Sequence, residues 1–307
     1  MTNPRALLLL NPVSGHKASM LALTPIVKAL SAQGYDTTVH LTTHSGDAAE
    51  YAEHFAGAYE RILCCGGDGT LSEVIRGLIA GGHSVPVGYV PTGTTNDLAH
   101  ALRLPTELSA AIKTAVTGTP HAHDVGLLND SVCFDYVAAF GAFADTSFAT
   151  RQELKNALGR AAYLMQGAKD LFTLKPLKLQ LHTGRMCIDG EFYYGSVSNS
   201  TRIGGIIDLT DTGIRFDDGQ LEILLIRQAP TVQAILDFRE QRYDPNYFYL
   251  LHTNEATFRF DKPIEWSADG ELAGPFDEVP SAACPARSIC CTNDRSTWRT
   301  YHEPCRT

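Results

Sequence analysis

No run in this 307-residue sequence approaches the roughly 18 apolar residues that a helical membrane span requires. The apolar stretch Ala6 to Leu10 follows Met1-Thr2-Asn3-Pro4-Arg5 and stops at Asn11-Pro12. It is too short for a signal-peptide core and reads as a buried first strand, so a cytoplasmic protein is expected. Cysteines in CxxC spacing are absent. The eight present (Cys64, Cys65, Cys133, Cys187, Cys284, Cys290, Cys291 and Cys305) are scattered, which excludes zinc-ribbon and dithiol redox motifs and suggests buried thiols in a reducing compartment. Positive charge is in the minority, 25 Lys and Arg against 34 Asp and Glu, for a formal net charge of -9. Broad nucleic-acid binding needs a basic footprint and is not expected here, although a local basic patch remains compatible with that balance. There is no HExxH. His121 and His123 alternate in an apparent strand and read as exposed strand positions. Two phosphate-binding motifs are missing as well: no GxxxxGK[ST] occurs, and Ser72 stands where GxGxxG would need its third glycine. Repeats and low-complexity segments are also lacking.

What is present suffices for two packed domains, with 44% hydrophobic and 19% charged residues. Through about residue 125 short strands alternate with helices. Strands are expected at Ala6–Leu10, Tyr35–Leu41, Arg61–Cys65 and Val85–Val90. Helices are expected at Ser19–Ala32, Asp47–Phe55, Leu71–Ile79, Asp97–Leu102 and Thr106–Val116. This alternation predicts an α/β nucleotide-binding domain over 1–127, a largely parallel sheet covered by helices. From 128 to 307 the pattern changes. Helical spacing over Gln152–Thr173 is followed by short strands, with Asp189-Gly190 as a hairpin turn signal, which predicts a mostly antiparallel β-sandwich. The extreme C-terminus is allowed to pack back on the first domain.

Three polar, glycine-bearing loops follow strands of the first domain: Asn11-Pro-Val-Ser-Gly15, Gly66-Gly-Asp-Gly-Thr70 and Pro91-Thr-Gly-Thr-Thr-Asn-Asp97. Ligands of open α/β sheets bind at that edge. Glycine lets the backbone approach a phosphate, and free N–H groups at a following helix start favour an anion. Asp68 and Asp97 would oppose a bare polyphosphate, which points to Mg²⁺ or to a proton-accepting role. Asp217-Asp218-Gly219 reads from composition as a surface turn.

These loops, with Leu71-Ser-Glu-Val74 and Leu98 extending them, resemble the signature of the soluble diacylglycerol kinase and sphingosine kinase superfamily, nearest to its bacterial lipid kinases. The likeness runs from about residue 5 to 275. It takes in Gly159-Arg-Ala-Ala-Tyr163, Asp217-Asp-Gly-Gln-Leu-Glu222 and Asp269-Gly-Glu271, and fades beyond Ala283. It implies ATP as co-substrate and Mg²⁺ as cofactor. Gly66, Gly67, Gly69, Thr70 and Thr94 would lie along the nucleotide phosphates, and Thr43 toward the adenine side. Asn11, Ser14, Gly15, Gly93 and Asn96 would complete the nucleotide-binding set. Asp68, Asp97 and Asp124 would form an acidic, Mg²⁺-linked network. Asp218 would bind a structural Mg²⁺ with the backbone carbonyls of Arg215 and Gln220, and Glu271 would be the general base.

The resemblance implies phosphorylation of diacylglycerol to phosphatidate. Another membrane alcohol as acceptor (phosphatidylglycerol or a sphingoid base) stays open, as does a non-catalytic nucleotide- or lipid-binding regulator. NAD kinase shares the Gly-Gly-Asp-Gly element but is not expected to carry Pro-Thr-Gly-Thr-Thr-Asn-Asp, and the same loop disfavours a dinucleotide oxidoreductase. Arg151, Lys155, Arg160, Lys169, Lys175 and Lys178, on a helix extended from Gln152 to Lys178, suggest peripheral attachment to an anionic membrane at its inner face. A packed helix with a solvated charged face is the other reading of that segment. A homodimer stays open.

Overall fold

The structure, a computed structural model, describes residues 3–141, 175–203, 207–210, 212–227, 244 and 246–292. The expected helix over 152–173, Gly159–Tyr163 and the tail beyond 292 lie outside the described residues. The chain parts into two compact units. The first comprises 1–124, 210–218 and 285–307, and the second comprises 125–209 and 219–284. The first unit thus takes in two later returns of the chain as well as its start.

In the first unit β1 (Arg5–Leu10), β2 (Asp36–Leu41), β3 (Arg61–Gly66) and β4 (Pro86–Pro91) pair in parallel, in the order β2-β1-β3-β4. Ala6 to Leu10 are all fully buried, as a central parallel strand covered on both faces demands. On one face α1 (Ala18–Ala32) and α5 (Leu108–Thr117) pack Ala22, Ile26, Leu30, Ile112 and Ala115 onto Leu8, Leu63 and Val90. The remaining helices are α2 (Asp47–Phe55), α3 (Asp68–Ala80) and the short α4 (Asp97–Ala101), and α2 and α3 pack against each other. Helix α3 begins three residues before the expected Leu71, so Asp68 is its first residue and not part of a free loop.

Strand β5 (Thr119–Leu128) leads from the first unit into the second. The second unit holds β6 (Val132–Phe134), β7 (Val137–Gly141), β8 (Leu177–Thr183), β9 (Cys187–Phe192) and β10 (Tyr194–Ser198). After these come the short pair β11 (Arg202–Ile203) and β12 (Ile207–Asp208), then β13 (Leu221–Ile226), β14 (Phe248–Thr253) and β15 (Glu255–Ala268). The last strand, β16 (Glu271–Thr292), starts in this unit and ends in the first, where Ile289 and Cys290 pair in parallel with Pro86 and Val87 of β4. Pairing within the second unit is antiparallel. Strand β15 joins its two layers: Ala256–Phe260 pairs with β8, and Trp266–Ala268 pairs with β7 after an irregular stretch at 259–264. Residues 255–268 are thus one continuous strand serving two partners. Phe140, Phe258 and Trp266 meet between the layers, with ring centroids 4.7–5.9 Å apart.

Of the two Asp-Gly pairs, the one expected to turn does not, and the other does. Asp189-Gly190 is not a turn. It lies inside β9, opposite Gln180 and Leu179, and the turn falls at 183–186, where the Thr183 N–H donates to the Met186 carbonyl at 2.9 Å. Asp269-Gly270 is the tight two-residue hairpin between β15 and β16. Its φ angles of +48° and +88° are those of a primed turn, for which Asp-Gly is a preferred pair. Among other sequence expectations, Cys64 and Cys65 are buried but Cys187 is exposed. Lys178 lies in β8, beside Asp261 at 3.8 Å, and not in a helix. His123 is buried at 2% exposure against Phe216, where an exposed position was expected, because the returning segment 210–218 covers it.

Candidate active site

The order β2-β1-β3-β4 reverses direction between β1 and β3, and the first two polar loops leave the carboxyl ends of those two strands. This is the switch point at which doubly wound sheets bind ligands. The loop after β4 joins them, and the three are interlocked. The Asn11 N–H continues the ladder to the Cys65 carbonyl, and the Thr92 N–H does the same to the Gly66 carbonyl. Asn11 Nδ2 donates to Thr70 Oγ1 at 3.2 Å, and Thr92 Oγ1 donates to Ser14 Oγ at 3.1 Å. Ser19 Oγ donates to the Asn11 carbonyl at 2.6 Å and closes the first loop from below.

Glycine is needed here for close approach. A Cβ on Gly15 would stand 1.9 Å from the Thr92 carbonyl oxygen, and Gly15 also has φ +56°. A Cβ on Gly93 would stand 2.7 Å from the Gly67 Cα. No other residue lets these backbones run so near each other. Gly15→Ala should therefore destabilise by about 2–4 kcal/mol, adding the left-handed penalty to a backbone clash. We expect the thermal midpoint to fall by about 4 °C or more. An unchanged midpoint would mean that the loop relaxes freely and that the interlock is loose.

Asp68 sits at the centre of this arrangement. Its Oδ2 accepts the Asp97 N–H at 2.9 Å and its Oδ1 the Leu98 N–H at 3.3 Å, with the Thr95 hydroxyl at 3.5 Å. Helix α4 thus starts on the Asp68 carboxylate, a favourable place for negative charge. Burial pushes the Asp68 carboxyl above the ordinary aspartate range and the Asp97 charge adds to that, while the donated N–H groups offset part of it. Asp97 is itself buried, following Asn96 in the left-handed region at φ +49°. Asn96 is tied back by Nδ2 to the Gly93 carbonyl at 3.0 Å. Thr94 and Gly69 remain exposed at the surface of the site. Asp124 is buried, and its N–H donates to the Phe216 carbonyl at 2.6 Å. That bond brings the segment carrying Arg215, Asp217 and Asp218 to the middle of β5, within the first unit.

Three further expected residues lie on other segments of the chain. Thr43 follows β2, and both its N–H (2.7 Å) and its hydroxyl (2.9 Å) go to Asp47 Oδ2. Asp218 is exposed on a turn followed by Gly219 at φ +72°. Glu271 is exposed in the second unit as the first residue of β16. Among the described residues no three His, Cys, Asp or Glu side chains are preassembled as a metal cluster.

Two carboxylates that sequence reasoning gave no role frame the loop after β2. Burial alone would raise the Asp47 carboxyl, but Thr43 and His40 (Nε2 to Oδ1, 2.7 Å) outweigh it and hold it below the usual range. Glu73 of α3 accepts the Gly46 N–H at 2.8 Å and the Ala48 N–H at 3.3 Å. Gly46 directly before Asp47 is a readable helix-start signal. The reach of Glu73 across 27 residues has none.

A family model for the diacylglycerol kinase catalytic domain matches residues 5–128. The diacylglycerol kinase of Staphylococcus saprophyticus is 30% identical over 276 residues, covering 88% of this chain and 90% of that one. The diacylglycerol kinase of Bacillus subtilis is 27% identical with the same coverage. A Citrobacter koseri protein named "Probable lipid kinase YegS-like" is 30% identical over 271 residues, covering 85% and 89%. A solved diacylglycerol kinase from Bacillus anthracis superposes with a TM-score of 0.74 at 20% identity, over 95% of this chain and 98% of that one, and so shares the fold. The chain belongs to the diacylglycerol kinase family and is a lipid kinase. No helix among the described residues is long and apolar enough to cross a membrane.

Proposed function

We propose that this lipid kinase transfers the γ-phosphoryl group of ATP to the free hydroxyl of diacylglycerol, giving phosphatidate and ADP. The interlocked loops at the β1/β3 switch point carry the reading. They offer glycine backbone, Thr and Asn donors and the Asp68 carboxylate in one place, as a polyphosphate with its counter-ion requires. Phosphoryl transfer asks mainly for positioning and charge neutralisation. Gly66, Gly67, Gly69, Thr70 and Thr94 line the phosphate track, with Asn11, Ser14, Gly15, Gly93 and Asn96 holding its shape and Thr43 on the adenine side. The lipid oxygen bonds to the γ-phosphorus as the bond to the ADP oxygen breaks, and the hydroxyl proton passes to Glu271.

The donor sets fit Mg²⁺. Asp68, Asp97 and Asp124 offer hard oxygen ligands, as do Asp218 and the carbonyls of Arg215 and Gln220. Mg²⁺ commonly keeps several waters and needs only one or two carboxylates besides substrate phosphates. When bound it neutralises charge on the phosphates. Another lipid alcohol as acceptor is the second reading, since the YegS-like relative is named a lipid kinase with no particular lipid specified. Incubating the protein with γ-labelled ATP, Mg²⁺ and a panel of lipids in mixed micelles decides between them: labelled phosphatidate is expected. Label in another lipid would move the substrate, and label in none, with ATP binding intact, would overturn the kinase reading.

Attachment to an anionic membrane surface is part of the same proposal. Lys175 is exposed, and Lys178 is 69% exposed. Reversing Lys169, Lys175 and Lys178 to Glu should weaken binding to anionic vesicles severalfold, an effect that added salt should shrink, while sparing turnover of a short-chain soluble acceptor. Unchanged vesicle binding would remove these lysines from the membrane contact.

A further inference from the structure

The hairpin that carries Glu271 is held by a side chain whose own turn does not require it. Asp269 Oδ1 accepts the N–H groups of Tyr136 (3.1 Å) and Val137 (3.0 Å), and its Oδ2 accepts that of Asp135 (3.0 Å). The Asp269 N–H returns to the Val137 carbonyl at 2.8 Å. Three successive backbone donors therefore converge on one carboxylate. They lie at the start of β7, whose ladder with β15 ends at Ala138–Ala268. Hydrogen bonds to an ionised carboxylate are stronger than those between neutral groups. The carboxylate fastens the tip of the hairpin beyond the last paired residue, where a two-residue turn would otherwise swing. Ala268 pairs with Glu271 across the turn, so the backbone of Glu271 inherits that fixing. The turn itself would form as well with Asn-Gly, which is equally favoured at positive φ. A carboxylate is specifically suited to the three donors.

We propose that Asp269 is a positioning residue for phosphoryl transfer, acting through Glu271 by locking the β15–β16 turn onto the Asp135–Val137 backbone. The inference rests on the reading of Glu271 as the base. A base contributes its full effect only when its carboxylate is held within hydrogen-bond reach of the proton it takes, and small misplacements cost large factors.

The test is a double-mutant cycle of Asp269→Asn and Glu271→Gln, reading kcat, the KM for ATP and the thermal midpoint with the best lipid acceptor. Asparagine preserves the turn, but whichever way its amide is placed it presents an N–H donor to a backbone N–H. Asp269→Asn should lower kcat at least tenfold while leaving the KM for ATP within about twofold, the split expected of an effect confined to the chemical step. In the Glu271→Gln background the same change should cost less than about twofold, because the group it positions is already gone. An equal loss in both backgrounds would show a general structural role and overturn the proposal, as would wild-type turnover by Asp269→Asn. Wild-type turnover by Glu271→Gln would overturn the base, and this inference with it. If Asp269→Asn does not fold, Asp269→Gly keeps a turn tolerant of positive φ without the opposed donor, and the same expectations apply to it.

Discussion

Replacing Asp68 with Ala is expected to lower kcat by at least about a hundredfold, some 2.7 kcal/mol in the barrier, in a protein that still folds. The carboxylate does two things at once. It carries negative charge in a ring of glycine loops, where a cation accompanying a nucleotide would be held. It also accepts the N–H groups of Asp97 and Leu98, which fixes the start of α4 and the backbone of the third loop. Alanine removes both. Asp68→Asn separates them, because its amide oxygen can still accept one of the two N–H groups while the charge is lost. If charge dominates, the Asn variant will be nearly as slow as the Ala variant. If loop placement dominates, Asn will recover a large part of the loss. Asp68 is not among the apolar core residues of the first unit, so the thermal midpoint should move far less than for Gly15→Ala. An Asp68→Ala enzyme retaining more than about a tenth of its kcat, a barrier change under ~1.4 kcal/mol, would reduce Asp68 to a helix-start residue.

The amino-terminal part of the first unit was legible because each of its signals is local. Leu7 to Leu10 are apolar without alternation, which suits a strand buried on both faces, and the three glycine loops follow strands at readable intervals. What joins the loops was not legible. The contacts of Asn11 with Thr70, Ser14 with Thr92 and Asp68 with Asp97 span 29 to 78 residues, and no periodicity encodes them. Glu73 stood in plain view within the glycine-rich motif, yet its task, holding Gly46 and Ala48, exists only after α2 and α3 have packed.

In the second unit a local rule was overruled by a longer one. Asp-Gly favours a hairpin turn wherever it occurs. Placing the turn at 189–190 would, however, shift the pairing of β8 with β9. The observed register sets Leu181 opposite Ile188 and Leu177 opposite Phe192, which keeps the apolar residues of both strands together. A slip of one residue would turn them to the other face, and the burial at stake exceeds what one turn contributes. Gly184 and Thr183 then supply a workable turn, with Thr183 Oγ1 accepting the N–H groups of Arg185 and Met186. At 269–270 local and long-range demands agree, and the turn forms there.

The placement of these turns sharpens the expected contrast between the two Asp-Gly-Glu sequences. Glu191 is an exposed residue in the body of β9, paired with Lys178 across the strands. Its neighbour Asp189 is occupied with Gln180 at 3.1 Å. Nothing about Glu191 requires a carboxylate, and Glu191→Gln should stay within about 0.5 kcal/mol of wild type in both stability and turnover. Glu271 follows the primed turn directly and stands exposed on a tip held by Asp269, where a carboxylate can meet a substrate hydroxyl without distorting a core. Glu271→Gln preserves shape and hydrogen-bonding capacity but cannot take a proton at neutral pH. It should lower kcat by about 10²–10⁴, with ATP affinity little changed, because the base serves the acceptor and not the nucleotide. Steady-state kinetics on the two single variants, with nucleotide binding measured separately, makes the comparison. A Glu271→Gln enzyme within about threefold of wild type would mean that the hydroxyl loses its proton late and directly to solvent or to the phosphoryl oxygens, as a loose, metaphosphate-like transition state permits. Loss of turnover on Glu191→Gln instead would place the acceptor site on the face of β8 and β9.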